Sequence, residues 1–433
     1  MSDLAITTLL VVSLFLILGS GVWIGLALSG VAWIGMQLFS ARPAGDAMAV
    51  TIWGSASSWT LTALPLFVWM GEILFRTRLS QDMFRGLAPW MQALPGRLLH
   101  VNVAGCALFA AVSGSSAATV ATIGKMSLPE LKRRGYPDAI AIGSLAGAGT
   151  LGLLIPPSII MIVYGVAAEV SIAQLFIAGV VPGIVIALLF SGYLMVWAWR
   201  HPQLVPPADA RLPLRDRLRE SRHLIPVVLL IAAVLGSIYA GIATATEAAA
   251  IGVVGALVVS AAQGSLTWAT FRDSLIGGTR LYCMIALILA GAAFLTLSMG
   301  YIGLPRHLAE WIATLGLSPF ALLLALMLFF ILLGCFLDGI SMVVLTMGVI
   351  LPTITKAGID PLWFGIFIVL VVEMAQITPP VGFNLFVLQG MTQREIGWIA
   401  RVTLPFFVLM VAAVGLIYVF PELVTFLPQQ MRR

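Results

Sequence analysis

The sequence predicts an all-α polytopic membrane protein of two inverted repeats, each holding a re-entrant helical hairpin and a broken helix. Three observations lead there. First, 61% of the 433 residues are apolar and 9% are charged, where a soluble domain carries about 25%. The mean hydropathy is +1.07. Second, the stretch from Gly105 to Gly165 is apolar but interrupted, first at Ser113-Gly114-Ser115-Ser116 and then at Gly147, Gly149, Thr150, Gly152 and Pro156-Pro157. Each uninterrupted piece falls short of the ~20 apolar residues that span a bilayer core. Backbone freed at such depth must be buried in protein or line a polar cavity. Discontinuous helices of this kind mark transporter binding sites. Third, the landmarks recur. Met70-Gly71 and Gly105-Cys106 return at one constant spacing as Met299-Gly300 and Gly334-Cys335, and Ile155-Pro156-Pro157 returns as Thr378-Pro379-Pro380.

Composition also excludes several classes. The net charge of +5 comes mostly from loop arginines, so it speaks of membrane orientation and not of nucleic acid. Cys106, Cys283 and Cys335 form no CxxC and give neither a disulfide framework nor a zinc site. The N-terminus has Asp3 and no basic residue before its apolar run, which predicts a retained first helix. Gly124-Lys125 falls short of a phosphate loop, with Thr119 where the first Gly belongs and Met126 in place of Ser/Thr. There is no HExxH, and His100, His201, His223 and His307 sit near loop or interface positions. No soluble stretch could house a nucleotide domain, so the reading includes no enzyme, no cofactor and no transition-metal site.

In chain order, residues 1–200 form the first repeat, 201–223 a linker and 224–433 the second repeat. Apolar spans are predicted at 4–19, 22–39 and 61–76, with a polar, Gly-containing stretch near 41–60. Residues 79–95 carry charges beside Trp90 and read as an interfacial amphipathic arm helix. A hairpin follows over 98–135, a broken span over 137–168 and a further span over 172–199. The segment with Arg200, Arg211, Arg215, Arg217, Arg219, Arg222 and four prolines reads as a linker and not a membrane element. The second half repeats the order: spans at 224–241, 246–262 and 275–299, an arm piece at 301–316, a hairpin at 317–357, a broken span at 361–391 and a last span at 396–420.

Counting each hairpin as entering and leaving on one side, each half crosses the membrane five times, and the odd number inverts the second half. With the N-terminus outside, segments 76–97, 125–134 and 200–222 are cytoplasmic and hold most basic residues. Arg42, Arg306, Lys356, Arg432 and Arg433 remain outside, which satisfies the positive-inside rule. The two hairpins then enter from opposite faces and their tips meet near the midplane.

A cation such as sodium needs several close oxygens. Unwound carbonyls and neutral hydroxyls supply them without burying a second charge. Helix C-termini suit the cation and helix N-termini an anion. Ser113, Ser115, Ser116 and Thr150 fit this role in the first half, and Ser341, Thr378 and Asn384 in the second. Gly114, Gly149 and Gly339 let backbone approach an ion or ligand. Small residues also permit plain close packing of helices. Recurrence at two tips and two breaks favours a site. Asp338 is an ionisable residue at membrane depth and thus a functional candidate; it equally suits the cap of the segment starting at Gly339. Glu373 is similar but lacks an adjacent break. Glu72 and Glu247 lie near span ends and read as structural or interfacial.

SGSSAATVATIGKMSLPELKRRGY, GAGTLGLLIPPS, ATATEAAAIG and ITPPVGFNLFV resemble the large membrane subunit of tripartite ATP-independent periplasmic (TRAP) transporters, over about residues 5–420. Ala245 departs mildly from the family's usual TPTEA. The resemblance implies an elevator-type fold of the ion-transporter superfamily, in a bacterial inner (cytoplasmic) membrane. It implies Na+ as coupling ion, a four-helix small membrane subunit, and a periplasmic substrate-binding protein delivering an organic acid. It implies one sodium site from Ser113, Ser115 and Ser116 with the Gly149–Thr150 break. The other would come from Asp338, Gly339 and Ser341 with Thr378-Pro379. Substrate would lie between the tips, near Gly114, Ser115, Ser116, Pro156 and Asn384. Two other readings stand beside this one: a sodium–dicarboxylate carrier needing no binding protein, and an intramembrane enzyme using Asp338 and Glu373.

Overall fold

The computed structural model describes residues 3–207, 213–380 and 382–431, and every regular element among them is helical. Arg211 of the linker and the terminal Arg432 and Arg433 lie outside the described residues. The first half comprises α1 (Asp3–Gly19), α2 (Ile24–Phe39), α3 (Ala44–Ala56), α4 (Ala63–Phe75), α5 (Leu79–Met91), α6 (Leu99–Ser113), α7 (Ser116–Arg133), α8 (Asp138–Gly149), α9 (Leu151–Leu154), α10 (Ile159–Ala167) and α11 (Ile172–Arg200). A short helix α12 (Leu214–Ser221) follows. The second half comprises α13 (Ile225–Tyr239), α14 (Ala245–Ala262), α15 (Trp268–Ile302), α16 (Leu304–Thr314), α17 (Pro319–Leu333), α18 (Gly339–Lys356), α19 (Pro361–Gln376), α20 (Phe383–Thr392), α21 (Ile396–Val419) and α22 (Glu422–Gln430).

Six helices are long and apolar enough to cross a membrane, or up to eight when each of two bent pairs counts as one span. Apolar residues explain the elements, and short polar side chains place their starts. Ser115, Ser158, Ser171, Thr267 and Ser318 each accept a backbone N–H as N-caps of α7, α10, α11, α15 and α17. Thr244 and Glu247 form a reciprocal capping box at the start of α14, the Glu247 carboxylate accepting from the Thr244 N–H at 2.8 Å. Glu72 pairs with Arg76 one turn away, at 2.8 Å. Both glutamates are thus committed to local structure.

The element order of the first half returns in the second, and so do the packing partners. α2 packs on α15, as α14 packs on α4. α7 packs on α20, as α18 packs on α10; α8 packs on α21, as α19 packs on α11. Contacts that occur in such reciprocal pairs are those of an isologous two-fold arrangement. For description, α1–α4 with α13–α15 are termed the scaffold helices and α6–α11 with α17–α22 the core helices; the two groups also touch, as α4 does α6 and α15 does α18. Helices α5 and α16 lie at the junction.

One expectation is corrected and two elements are added. The polar stretch near 41–60 is largely helical: α3 is set at 53° to the following helix, so the third span of the first half is bent and starts earlier than 61. Its Ala, Met, Val, Ile and Trp residues sustain a helix that its Gly and Ser content obscured. The counterpart α15 is a single helix of 35 residues. Within the linker, α12 packs on α5, with Trp90 Nε1 donating to Ser221 Oγ at 2.7 Å. Beyond the last span, α22 folds back onto α11.

The two hairpins differ. Arms α6 and α7 pack along one another, whereas α17 lies on α19 and α18 lies on α15 and α16. An apolar cavity of about 350 Å³, lined by Phe329 and Leu333 of α17 and Leu345 and Ile350 of α18, separates those arms.

A candidate ion and substrate site at the helix breaks

Helix α6 ends at Ser113 because Gly114 follows with φ +61°, a left-handed conformation that disfavours a side chain. Ser115 then restarts the chain as the N-cap of α7. This turn seats on the first break. The Ile159 N–H donates to the Gly114 carbonyl at 3.3 Å. A Cβ at Gly114 would lie 2.8 Å from the Pro157 carbonyl oxygen, and one at Gly152 would lie 2.5 Å from Ser116 Cα. Glycine at 152 is therefore what allows the tip backbone to meet the break. Both breaks carry a cis peptide, Pro156-Pro157 and Pro379-Pro380.

Tip and break thus bring several helix ends together. The C-termini of α6 and α9 and the N-termini of α7 and α10 converge in the first half. The partial charges of such ends suit a cation and an anion respectively. In the second half Asp338 caps α18. Its Oδ2 accepts the N–H groups of Ile340 at 3.1 Å and Ser341 at 3.3 Å, and Ser341 Oγ donates to Oδ1. The capping role is therefore realised. A cavity of about 40 Å³ borders Asp338, Gln376 and Phe383, enough for an ion or a water. Gly339 of this tip abuts Val372 and Gln376 of α19 and Ile160 of α10.

The halves meet between these tips. Asn384, at the start of α20, is fully buried, and its amide nitrogen lies 3.9 Å from where a Cβ of Gly149 would stand. Glu373, near the end of α19, crosses to the first half: its Oε1 accepts the Leu153 N–H at 3.1 Å, and the Ser116 hydroxyl reaches the same carboxyl group. Four buried side-chain atoms without a hydrogen-bond partner belong to α19 and α20: Glu373 Oε2, Gln376 Oε1, and both polar atoms of Asn384. Such atoms are uncommon in native interiors and ask for an explanation.

The remaining sequence candidates are placed as follows. Thr150 is buried and its hydroxyl donates to the Gly147 carbonyl at 2.6 Å, leaving its lone pairs available. Ser113 is buried, bonded through Oγ to Thr119 Oγ1 at 2.9 Å, while its carbonyl faces Gly71 of α4. Pro156 is buried, but Pro379 is exposed, and Thr378, half-buried, donates to the Met374 carbonyl at 2.7 Å. The first break is thus enclosed and the second lies open. Glu373 is the residue that sequence reasoning left out of the site. Its signal was a lone carboxylate in an otherwise uncharged helix of 16 residues.

A cavity of about 900 Å³ is lined from both groups of helices. It separates scaffold residues Thr51, Ser58 and Thr246 from core residues Glu169, Ala173 and Met347. It forms a seam between the scaffold and core helices, distinct from the cavity of about 40 Å³ beside Asp338.

A multi-pass helical body with paired helix turns and breaks crossing inside it defines the class of membrane permeases. Within that class, the chain belongs to the family described as "Tripartite ATP-independent periplasmic transporter, DctM component", which it matches over residues 9–423. It is 34% identical to the C4-dicarboxylate TRAP transporter large permease protein DctM of Pseudomonas aeruginosa, over 88% of this chain and 87% of that protein. It is 31% identical to the isethionate TRAP transporter permease protein DctMQ of Oleidesulfovibrio alaskensis, over 92% of this chain and 62% of that protein. The crystal structure of the Alcanivorax borkumensis YdaH transporter, described as having an unusual topology, has a similar fold. Its TM-score is 0.64 at 15% identity, covering 87% of this chain and 88% of that one.

Proposed function

We propose that the chain is the large permease subunit of a sodium-coupled uptake system for an organic acid, in a bacterial inner membrane. A periplasmic binding protein delivers the acid, a four-helix small subunit completes the membrane part, and the core slides against the scaffold as an elevator. The carrying observation is the crossing of the two halves in an apolar body, where carboxylate, amide and carbonyl oxygens converge with unpartnered buried atoms among them. Hydroxyl, carbonyl and carboxylate oxygens suit a hard cation, and helix N-termini suit a carboxylate.

The relatives support the substrate class. One is named for C4-dicarboxylates and another for isethionate, both organic anions. The latter, named DctMQ, is longer than this chain, which leaves room for a small subunit within one polypeptide. The seam of about 900 Å³ between scaffold and core supports relative motion of the two.

The test is uptake of a labelled C4-dicarboxylate and a panel of other organic acids into proteoliposomes holding both membrane subunits. Accumulation should require an inward sodium gradient and the binding protein together. Equal uptake without sodium would contradict the coupling. Equal uptake without the binding protein would favour a carrier that works alone, and product formation without a gradient would favour an enzyme.

A further inference from the structure

We propose that Glu373 supplies the fixed negative charge of the cation site at the first half's break, so that one half's ion site is completed by the other half. This rests on the sodium reading above and adds a specific charged group to it. Glu373 is fully buried, and among the described residues no Lys, Arg or His forms an ion pair with it. A charge buried without a partner is strongly unfavourable, and hydrogen bonds from the Leu153 N–H and the Ser116 hydroxyl bring no positive charge to offset it. The other carboxylate oxygen has no partner at all. The group is thus aimed where a positive charge would be held.

The neighbourhood selects the kind of cation. The Ser116 hydroxyl lies against the carboxyl group, Thr150 carries a hydroxyl three residues before Leu153 on the same break, and the Asn384 amide approaches Gly149. Among the described residues no group of three or more His, Cys, Asp or Glu side chains comes together. A single carboxylate among neutral oxygens balances one unit of charge, which suits a monovalent hard ion better than calcium, whose sites gather several carboxylates. The repeat explains why the charge comes from the second half. The paired proline breaks align Glu373 with Thr150, so the first half holds a hydroxyl where the second holds a carboxylate, and the crossing of the halves brings the carboxylate to the first break.

The experiment is thermal unfolding of the purified full-length chain, titrated with sodium chloride against choline chloride at constant ionic strength. The wild type should be stabilised by sodium. E373Q keeps an acceptor for the Leu153 N–H but not the charge, and its half-saturating sodium concentration should rise about tenfold or more. E373D, which keeps the charge one methylene shorter, should fall between the two. A wild type stabilised by sodium with E373Q responding at the same concentration would overturn the role of Glu373 and leave sodium coupling standing. A wild type indifferent to sodium would overturn both. If E373Q is not recovered folded, E373D decides: a retained sodium response supports the charge, and none contradicts it.

Discussion

At the scale of single residues, the buried polar atoms without partners decide what the site is. Asn384 has the same branched four-atom side-chain skeleton as leucine, and both of its polar atoms are buried and unbonded. Leaving such a group unsatisfied costs about 1–3 kcal/mol. N384L should therefore unfold at the same or a higher temperature than the wild type without sodium. Its uptake should need several-fold more sodium, the loss of one ligand being about 1 kcal/mol. A lower unfolding temperature with and without sodium alike would make the amide a structural group instead. The polar candidates could be picked from the sequence because hydroxyls and a carboxylate stand out in apolar runs. Their division of labour could not. Whether Asp338 caps its own helix depends on a turn of four residues, and it does. Whether Glu373 faces lipid, its own break or the other half depends on how α19 passes α9, a contact across 220 residues.

At the scale of elements, each hairpin tip is positioned by close approach of backbone to backbone. G152V would drive a side chain into Ser116 Cα and the Ser115 carbonyl, 2.5 Å and 2.7 Å from the first added carbon. Neither is the flexible end of a side chain, so the tip has to lift. Overpacking of this kind costs about 1–3 kcal/mol, which a large membrane protein can survive. The variant should reach the membrane at near-normal levels and transport at a small fraction of the wild-type rate. Normal transport would mean that the tip need not seat on the break. The breaks were legible because Gly and Pro interrupt apolar runs at matching places in both halves. Helix α3 was not, because Gly45, Gly54, Thr51 and Ser55 lie among its helix formers, and only packing on α15 decides in favour of helix.

At the scale of the whole molecule, orientation and motion are the testable properties. Basic residues concentrate in segments that the topology places inside, and α12 lies against the arm helix α5 there. A cysteine at Leu218, 58% exposed on α12, should resist an impermeant thiol reagent in intact cells and react once the membrane is opened. Labelling in intact cells would invert the topology. The paired order of elements was legible because spacing and breaks repeat. Which helices of one half pack on which of the other was not, since that depends on reciprocal contacts between halves. Motion of the core against the scaffold is tested most directly across the seam between them. With Cys106, Cys283 and Cys335 replaced, cysteines at Ser58 and Ala173 face that cavity from opposite sides and can be joined by a bifunctional thiol reagent. The measurement is sodium-driven uptake before and after joining, beside sodium-dependent thermal stabilisation of the same sample. The sliding core predicts that uptake stops while stabilisation by sodium persists. Full-rate uptake through the joined protein would contradict it.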